Sequence, residues 1–101
     1  MSDVRSRIEN LLNENKVVLF MKGTSNQPMC GFSARATAIL QDLDVPFRDV
    51  NVLDDEEIRQ GIKEYGNWPT IPQLYINKEL IGGSDIMMEM YQSGELKDLL
   101  K

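Results

Sequence analysis

The residue in this chain best equipped for chemistry is Cys30, the single cysteine among 101 residues. It follows a run of turn formers, Lys22-Gly23-Thr24-Ser25-Asn26-Gln27-Pro28-Met29, and precedes a helical pattern with Ala36, Ile39, Leu40 and Leu43 at i, i+3, i+4 and i+7. The thiol is therefore predicted at or just before a helix N-terminus, where unpaired amides and the helix dipole favour an anion. Gly31 beside it leaves room for other groups to approach, and the Lys22 cation adds to the pull on the thiol proton. A lone cysteine is ordinarily a buried, inert residue. This placement points instead to a thiolate, the nucleophilic and metal-binding form.

Other chemistry is excluded by what is missing. There is no histidine, so a Cys-His or Ser-His-Asp machine, a His-ligated zinc centre and a histidine pH switch cannot be built from this chain. One cysteine cannot form an internal disulfide, which argues for a reducing compartment. Eleven Lys and Arg against sixteen Asp and Glu give a net charge of −5, without the positive excess expected of a nucleic-acid binder. The longest apolar run, Val17-Val18-Leu19-Phe20-Met21, is far short of the roughly 20 residues of a membrane span. The first fifteen residues contain Asp3, Glu9 and Glu14 and lack the apolar core of a signal peptide, so the expected location is the cytoplasm.

The elements that must hold Cys30 follow from periodicity. Val4, Ile8, Leu11 and Leu12 form one helical stripe, and Val17 to Met21 reads as a central strand buried on both faces. The segment from Lys22 to Met29 reads as an exposed loop. After the Cys30 helix, Phe47 to Val52 forms a second strand, followed by a helix with Asp54 as N-cap and Glu57 completing a capping box. Ile58, Ile62 and Tyr65 line the buried face of that helix, and Gly66 ends it. Trp68-Pro69-Thr70-Ile71-Pro72 makes a rigid turn, because neither proline has an amide hydrogen. Gln73 to Ile76 and Glu79 to Ile81 then form a hairpin about Asn77-Lys78. Ser84-Asp85 caps and opens a helix through Tyr91, and a last helical stretch turns Leu96, Leu99 and Leu100 inward. One domain over residues 1–101 accommodates this order: an α/β fold whose mixed four-stranded sheet carries helices on both faces, the thioredoxin-like architecture.

Four motifs in register carry a resemblance to a known family. Lys22-Gly23, Cys30-Gly31-Phe32-Ser33, Trp68-Pro69-Thr70-Ile71-Pro72-Gln73 and Gly82-Gly83-Ser84-Asp85 together resemble the monothiol, C-G-F-S-type glutaredoxins over essentially the whole chain. The resemblance implies a thioredoxin-like fold and binding of glutathione. It places Lys22 and Arg59 at the glycine carboxylate, the backbone of Ile71 against the cysteinyl unit with Pro72 cis, and Ser84 and Asp85 at the γ-glutamyl end. Taken alone, Arg59 on a helix is more often a solvated charge, and Ser84-Asp85 an ordinary cap. Many members of the family carry Cys where this chain has Ser84, so a redox role for that second thiol is absent.

The count of thiolates bears on activity. A 2Fe-2S cluster usually needs four thiolates and one chain supplies one. The resemblance implies a homodimer in which two Cys30 residues and two glutathiones bridge a labile cluster, with BolA-like proteins and recipient apoproteins as partners. The alternative is a glutathione-dependent oxidoreductase with Cys30 as nucleophile, for which one thiol suffices when a second glutathione resolves the mixed disulfide. Ser33 stands where dithiol relatives have their second cysteine, which excludes protein-disulfide reduction by an internal pair. The seven residues between Lys22 and Cys30 exceed the loop of dithiol relatives, and the resemblance links that loop to cluster binding. A third reading, an adaptor that keeps the fold without the chemistry, leaves the cysteine, the cations and the Pro72 turn unexplained. Met29, Phe32 and Trp68 are candidates for an apolar rim around the thiol, with core packing the simpler role for Trp68.

Overall fold

The computed structural model describes residues 3–101. Its frame is β1 (Val17–Met21), in which all five side chains are buried. Strand side chains alternate between faces, so Val17, Leu19 and Met21 serve one core and Val18 and Phe20 another. On the first face lie α2 (Gly31–Asp42), α4 (Ser84–Ser93) and α5 (Glu95–Leu99), which contribute Ala36, Ile39, Leu40, Met87 and Leu96. The second face carries α1 (Val4–Glu14) and α3 (Glu56–Tyr65), through Ile8, Leu12, Ile58 and Ile62.

The sheet has the order β2-β1-β3-β4. Strand β2 (Arg48–Asn51) runs parallel to β1, as a helical crossover requires. Strand β3 (Gln73–Ile76) is antiparallel to β1 and joins β4 (Glu79–Gly82) in the expected hairpin. Asn77 and Lys78 take φ of 50° and 71°, the positive values that a two-residue hairpin turn of the favoured twist demands. No helix of the described residues is long and apolar enough to cross a membrane.

Several local expectations need correction. Asp54 does not cap α3: it belongs to a 3-10 turn, Val52–Asp54, that absorbs the end of the expected second strand and buries Val52. The cap is Asp55, whose carboxylate accepts from the Ile58 amide at 3.2 Å. Glu57 thus stands one place too early for a reciprocal capping box and instead accepts from Arg7 Nη1 at 3.0 Å. Arg7 also bonds Asp55, tying α1 to the start of α3. Leu99 is 44 % exposed rather than inward, and Leu96 carries the burial of α5. The N-cap of α4 is Gly83, with Ser84 already the first helical residue.

The segment from Lys22 to Met29 is more ordered than its turn-rich composition implies. Met29 donates to the Lys22 carbonyl at 2.9 Å, while Thr24 and Gln27 exchange backbone bonds at 3.1 Å in both directions. A bridge between Gly23 and Pro28 closes the small hairpin. Two side chains of β2 hold it from below: Asn51 Oδ1 accepts from the Gly23 amide at 2.9 Å, and Asp49 Oδ2 from the Ser25 amide at 2.7 Å.

Candidate functional site

Cys30 is the N-cap residue of α2, and its side chain makes no capping hydrogen bond. The thiol is half-buried. The Ser33 amide is the strongest influence on it and holds its pKa below the ordinary 9.0; partial burial pushes the other way, and the Phe32 amide, the Lys22 charge and the Ser33 hydroxyl reinforce the depression. The expectation of an anion-favouring helix N-terminus aided by Lys22 holds, with the backbone contributing more than the lysine. Ser33 itself is fully buried and accepts from the Lys22 amide at 3.0 Å.

The sulphur opens on a cleft of about 500 Å³. Its walls bring together Lys22 and Cys30 from one side, the Trp68–Pro72 turn, and the start of α4 with Ser84 and Asp85. Five of the six residues singled out in the sequence, Lys22, Cys30, Ile71, Ser84 and Asp85, line this one space. Arg59 does not. It stands on α3 with Glu56 as ion partner at 3.7 Å. A lysine not singled out from the sequence, Lys63, lines the cleft four residues further along the same helix.

The Ile71–Pro72 peptide is cis, and Ile71 is buried. The β1–β3 ladder ends with Phe20 against Gln73, so the Ile71 peptide groups stand beyond it at the cleft. What fixes this wall is the fully buried Gln73, whose Nε2 donates to the carbonyls of Trp68 at 3.1 Å and Thr70 at 3.2 Å. Its Oε1 accepts from the Tyr75 hydroxyl at 3.1 Å, and burial, with a smaller push from Tyr65, raises the Tyr75 pKa to about 12, which keeps that donor protonated. The role of Gln73 was missed at the sequence level, although an amide opening an otherwise apolar strand was the available signal. The indole of Trp68 is half-buried at the cleft rather than in the core. Its Nε1 is shielded without a partner among the described residues.

The N-terminus of α4 also lines the cleft. Gly83 offers no side-chain cap, which leaves the first amides of the helix to any anion that enters. A Cβ at Gly83 would stand 3.3 Å from the Pro72 carbonyl and 3.6 Å from Trp68 Nε1, so the start of α4 lies close against the turn. Asp85 is exposed and lies 3.6 Å from Arg35 of α2. Met29 and Phe32, 64 % and 56 % exposed, flank the thiol with apolar surface. The arrangement can bind an elongated anion beside a reactive sulphur.

The chain as a whole is matched by known proteins. The glutaredoxin family model matches residues 17–81. A monothiol glutaredoxin of Synechocystis is 57 % identical over 99 residues, spanning 98 % of this chain and 92 % of that protein. The chain belongs to the monothiol glutaredoxins. A probable monothiol glutaredoxin of Rickettsia conorii is 60 % identical over 94 residues, covering 93 % of this chain and 88 % of its own. Among solved structures, reduced apo GrxS14 of poplar superposes on this glutaredoxin with a TM-score of 0.84 at 50 % identity, covering 94 % of this chain and 87 % of that one. A truncated monomeric 1-C-Grx1 of Trypanosoma brucei gives a TM-score of 0.88 at 38 % identity over 99 % and 91 % of the two chains. The fold of this glutaredoxin is thioredoxin-like, as the order of its elements predicts.

Proposed function

We propose that two copies of this glutaredoxin carry a 2Fe-2S cluster as cargo between them and pass it to recipient apoproteins. The observation that carries the reading is the isolation of Cys30: it is the chain's only thiol and lines a cleft together with Lys22 and Lys63. No group of three or more His, Cys, Asp or Glu side chains among the described residues could hold a metal ion. A four-thiolate cluster is therefore beyond one chain but within reach of two chains and two small thiols. Ligands of which half are small molecules suit cargo meant to leave.

Glutathione fits the cleft as that small thiol. Lys22 takes its glycine carboxylate by charge-assisted bonds, with Arg59 reaching in from α3, where exchange of its exposed Glu56 pair costs little. The Ile71 peptide pairs with the cysteinyl unit as a short strand would. The first amides of α4, at Ser84 and Asp85, take the γ-glutamyl carboxylate, and the Asp85 carboxylate accepts from the amino group. This arrangement delivers the glutathione sulphur beside Cys30. The exposed Met29 and Phe32 supply apolar surface for a second subunit, a BolA-like partner or a recipient. A lone unpaired cysteine fits the reducing cytoplasm.

A second reading, glutathione-dependent deglutathionylation, is favoured by the lowered pKa of Cys30. The Cys30 thiolate attacks the glutathione sulphur of a glutathionylated protein and expels the protein thiolate. The thiolate of a second glutathione then attacks the mixed disulfide, giving glutathione disulfide and regenerating Cys30. The two readings separate in anaerobic reconstitution with iron and sulfide, with and without glutathione, followed by visible circular dichroism, iron and sulfide analysis and size exclusion. A chromophore that requires glutathione and Cys30, at one cluster per dimer, supports the carrier. A colourless monomer that turns over a glutathionylated substrate replaces it with the oxidoreductase.

A further inference from the structure

We infer that the outer edge of β2 is a contact between two copies of this chain, paired antiparallel about Val50. Strand β2 ends the sheet and pairs only with β1. Outside that ladder the backbone of Arg48, Asp49 and Val50 makes no further backbone hydrogen bond among the described residues. Such an edge is a template for a second strand. Beside it runs a groove of about 400 Å³ lined by Leu11, Val50 and Ile58. No residue of β2 lines the cleft of Cys30, so this surface is separate from the function proposed above.

Two observations select a second copy as the occupant. The strand is oppositely charged toward its two ends: exposed Arg48 opens it, and exposed Asp54 follows it in the 3-10 turn. Neither has an ion partner among the described residues. Antiparallel pairing about a two-fold axis carries each Arg48 toward the Asp54 turn of the other copy. The same turn exposes Leu53 by 46 %, an apolar side chain that the incoming strand covers.

Register follows from side-chain alternation. Arg48 and Val50 share the face of α1 and α3, whereas Asp49 and Asn51 brace the loop ahead of Cys30 on the other. Opposed residues must share a face, so the axis passes through one residue of the strand. Centres on Arg48 or Asp49 oppose like charges, and a centre on Asn51 overlaps the strands by a single residue. Val50 remains, with each Asp49 facing an Asn51. Charges on an edge also serve to block pairing. That ordinary role predicts a monomer at every concentration.

Sedimentation velocity of the reduced, cluster-free protein from about 10 µM to 1 mM tests the pairing, with Cys30→Ser alongside to exclude disulfide-linked or cluster-bridged pairs. A weak dimer is expected, half formed at roughly 0.1 mM, because so short a strand makes a contact below standard interface size. Arg48→Glu is expected to weaken it about tenfold, and adding Asp54→Lys to restore it. Asp54→Lys alone gives the same loss should Arg48→Glu fail to fold. Amide NMR shifts that depend on concentration should fall on Arg48 to Asn51 and spare Met29 and Phe32. A monomer throughout the range overturns the inference. So does a dimer indifferent to both charge reversals, one absent in Cys30→Ser, or one whose shifts map to Met29 and Phe32.

Discussion

At the start of α2 the Ser33 amide and hydroxyl both lower the Cys30 pKa, while the Ser33 oxygen accepts the backbone amide of Lys22 at 3.0 Å. One buried side chain thus links the thiol to the strand end that carries the cleft's first cation. The amide is fixed by the helix and survives substitution, whereas the hydroxyl does not. Ser33→Ala is therefore expected to raise the Cys30 pKa only part of the way back toward 9.0. The pH dependence of thiolate ultraviolet absorbance and of alkylation by iodoacetamide measures this. A midpoint unchanged by Ser33→Ala would remove the hydroxyl from the account.

The same depression links pH to stability. Because Cys30 titrates lower in the folded chain than in the unfolded one, the unfolded chain holds more protons between the two midpoints, and stability rises with pH across that window. The contribution is complete above the unfolded midpoint and is lost as pH falls through the folded one. Cys30→Ser removes it. Denaturant unfolding of both proteins at a series of mildly alkaline pH values should give curves that diverge upward for the wild type. Parallel curves would contradict the pKa direction.

The start of α3 offers a contrast between adjacent carboxylates. Asp55 accepts from the Ile58 amide and from Arg7, and although burial opposes ionisation, these bonds win and hold its pKa below the ordinary range. Asp54 has neither role. Asp55→Ala should cost about 1–2 kcal/mol, the usual loss of an N-cap, while Asp54→Ala should stay within about 0.5 kcal/mol. The sign for Asp55 is that of a depressed carboxylate: its contribution is present above the unfolded pKa and fades as acid protonates the folded group. Urea melts of the two variants decide the assignment.

This pair also marks how far the sequence was legible. Periodicity together with turn and cap residues placed the four strands and five α-helices of the described residues, because the helices bury apolar stripes against a sheet whose centre, Val17 to Met21, is buried on both faces. The cap was misplaced by one residue because two aspartates and two glutamates in succession offer equivalent local chemistry. A tertiary partner, Arg7, and the unforeseen turn at Val52–Asp54 break the tie. Five of the six candidate site residues line one cleft, and Arg59 does not. Gln73, Lys63 and the Asn51 brace escaped notice because their significance lies in contacts across the chain, as when Asn51 reaches Gly23, which no local pattern encodes.

Gln73 carries the largest predicted cost among polar residues. Gln73→Leu fills similar space but strips the Trp68 and Thr70 carbonyls of their donor and the Tyr75 hydroxyl of its acceptor. Buried groups left unpaired make a loss of about 2–4 kcal/mol the expectation. The turn that carries Ile71 should loosen with them. Equilibrium denaturation measures the first effect. Trp68 fluorescence, shifted in the native state before any unfolding, measures the second; an unperturbed spectrum would mean that the wall is held by other contacts.

Gly23 holds the loop ahead of Cys30 in a shape no other residue fits. Its φ is +94°, and a Cβ there would stand 2.5 Å from both the Gln27 carbonyl oxygen and the Met29 amide nitrogen. Both obstacles are backbone, so they yield only if the small hairpin opens. Gly23→Ala should therefore cost at least about 2 kcal/mol or displace the hairpin, breaking the Met29–Lys22 bond. Displacement moves Lys22, so the Cys30 pKa rises and glutathione affinity falls. Amide hydrogen exchange at Met29, set beside the alkylation profile of Cys30, reads both ends of this chain of contacts. Rapid exchange at Met29 with an unchanged thiol would uncouple the loop from the site.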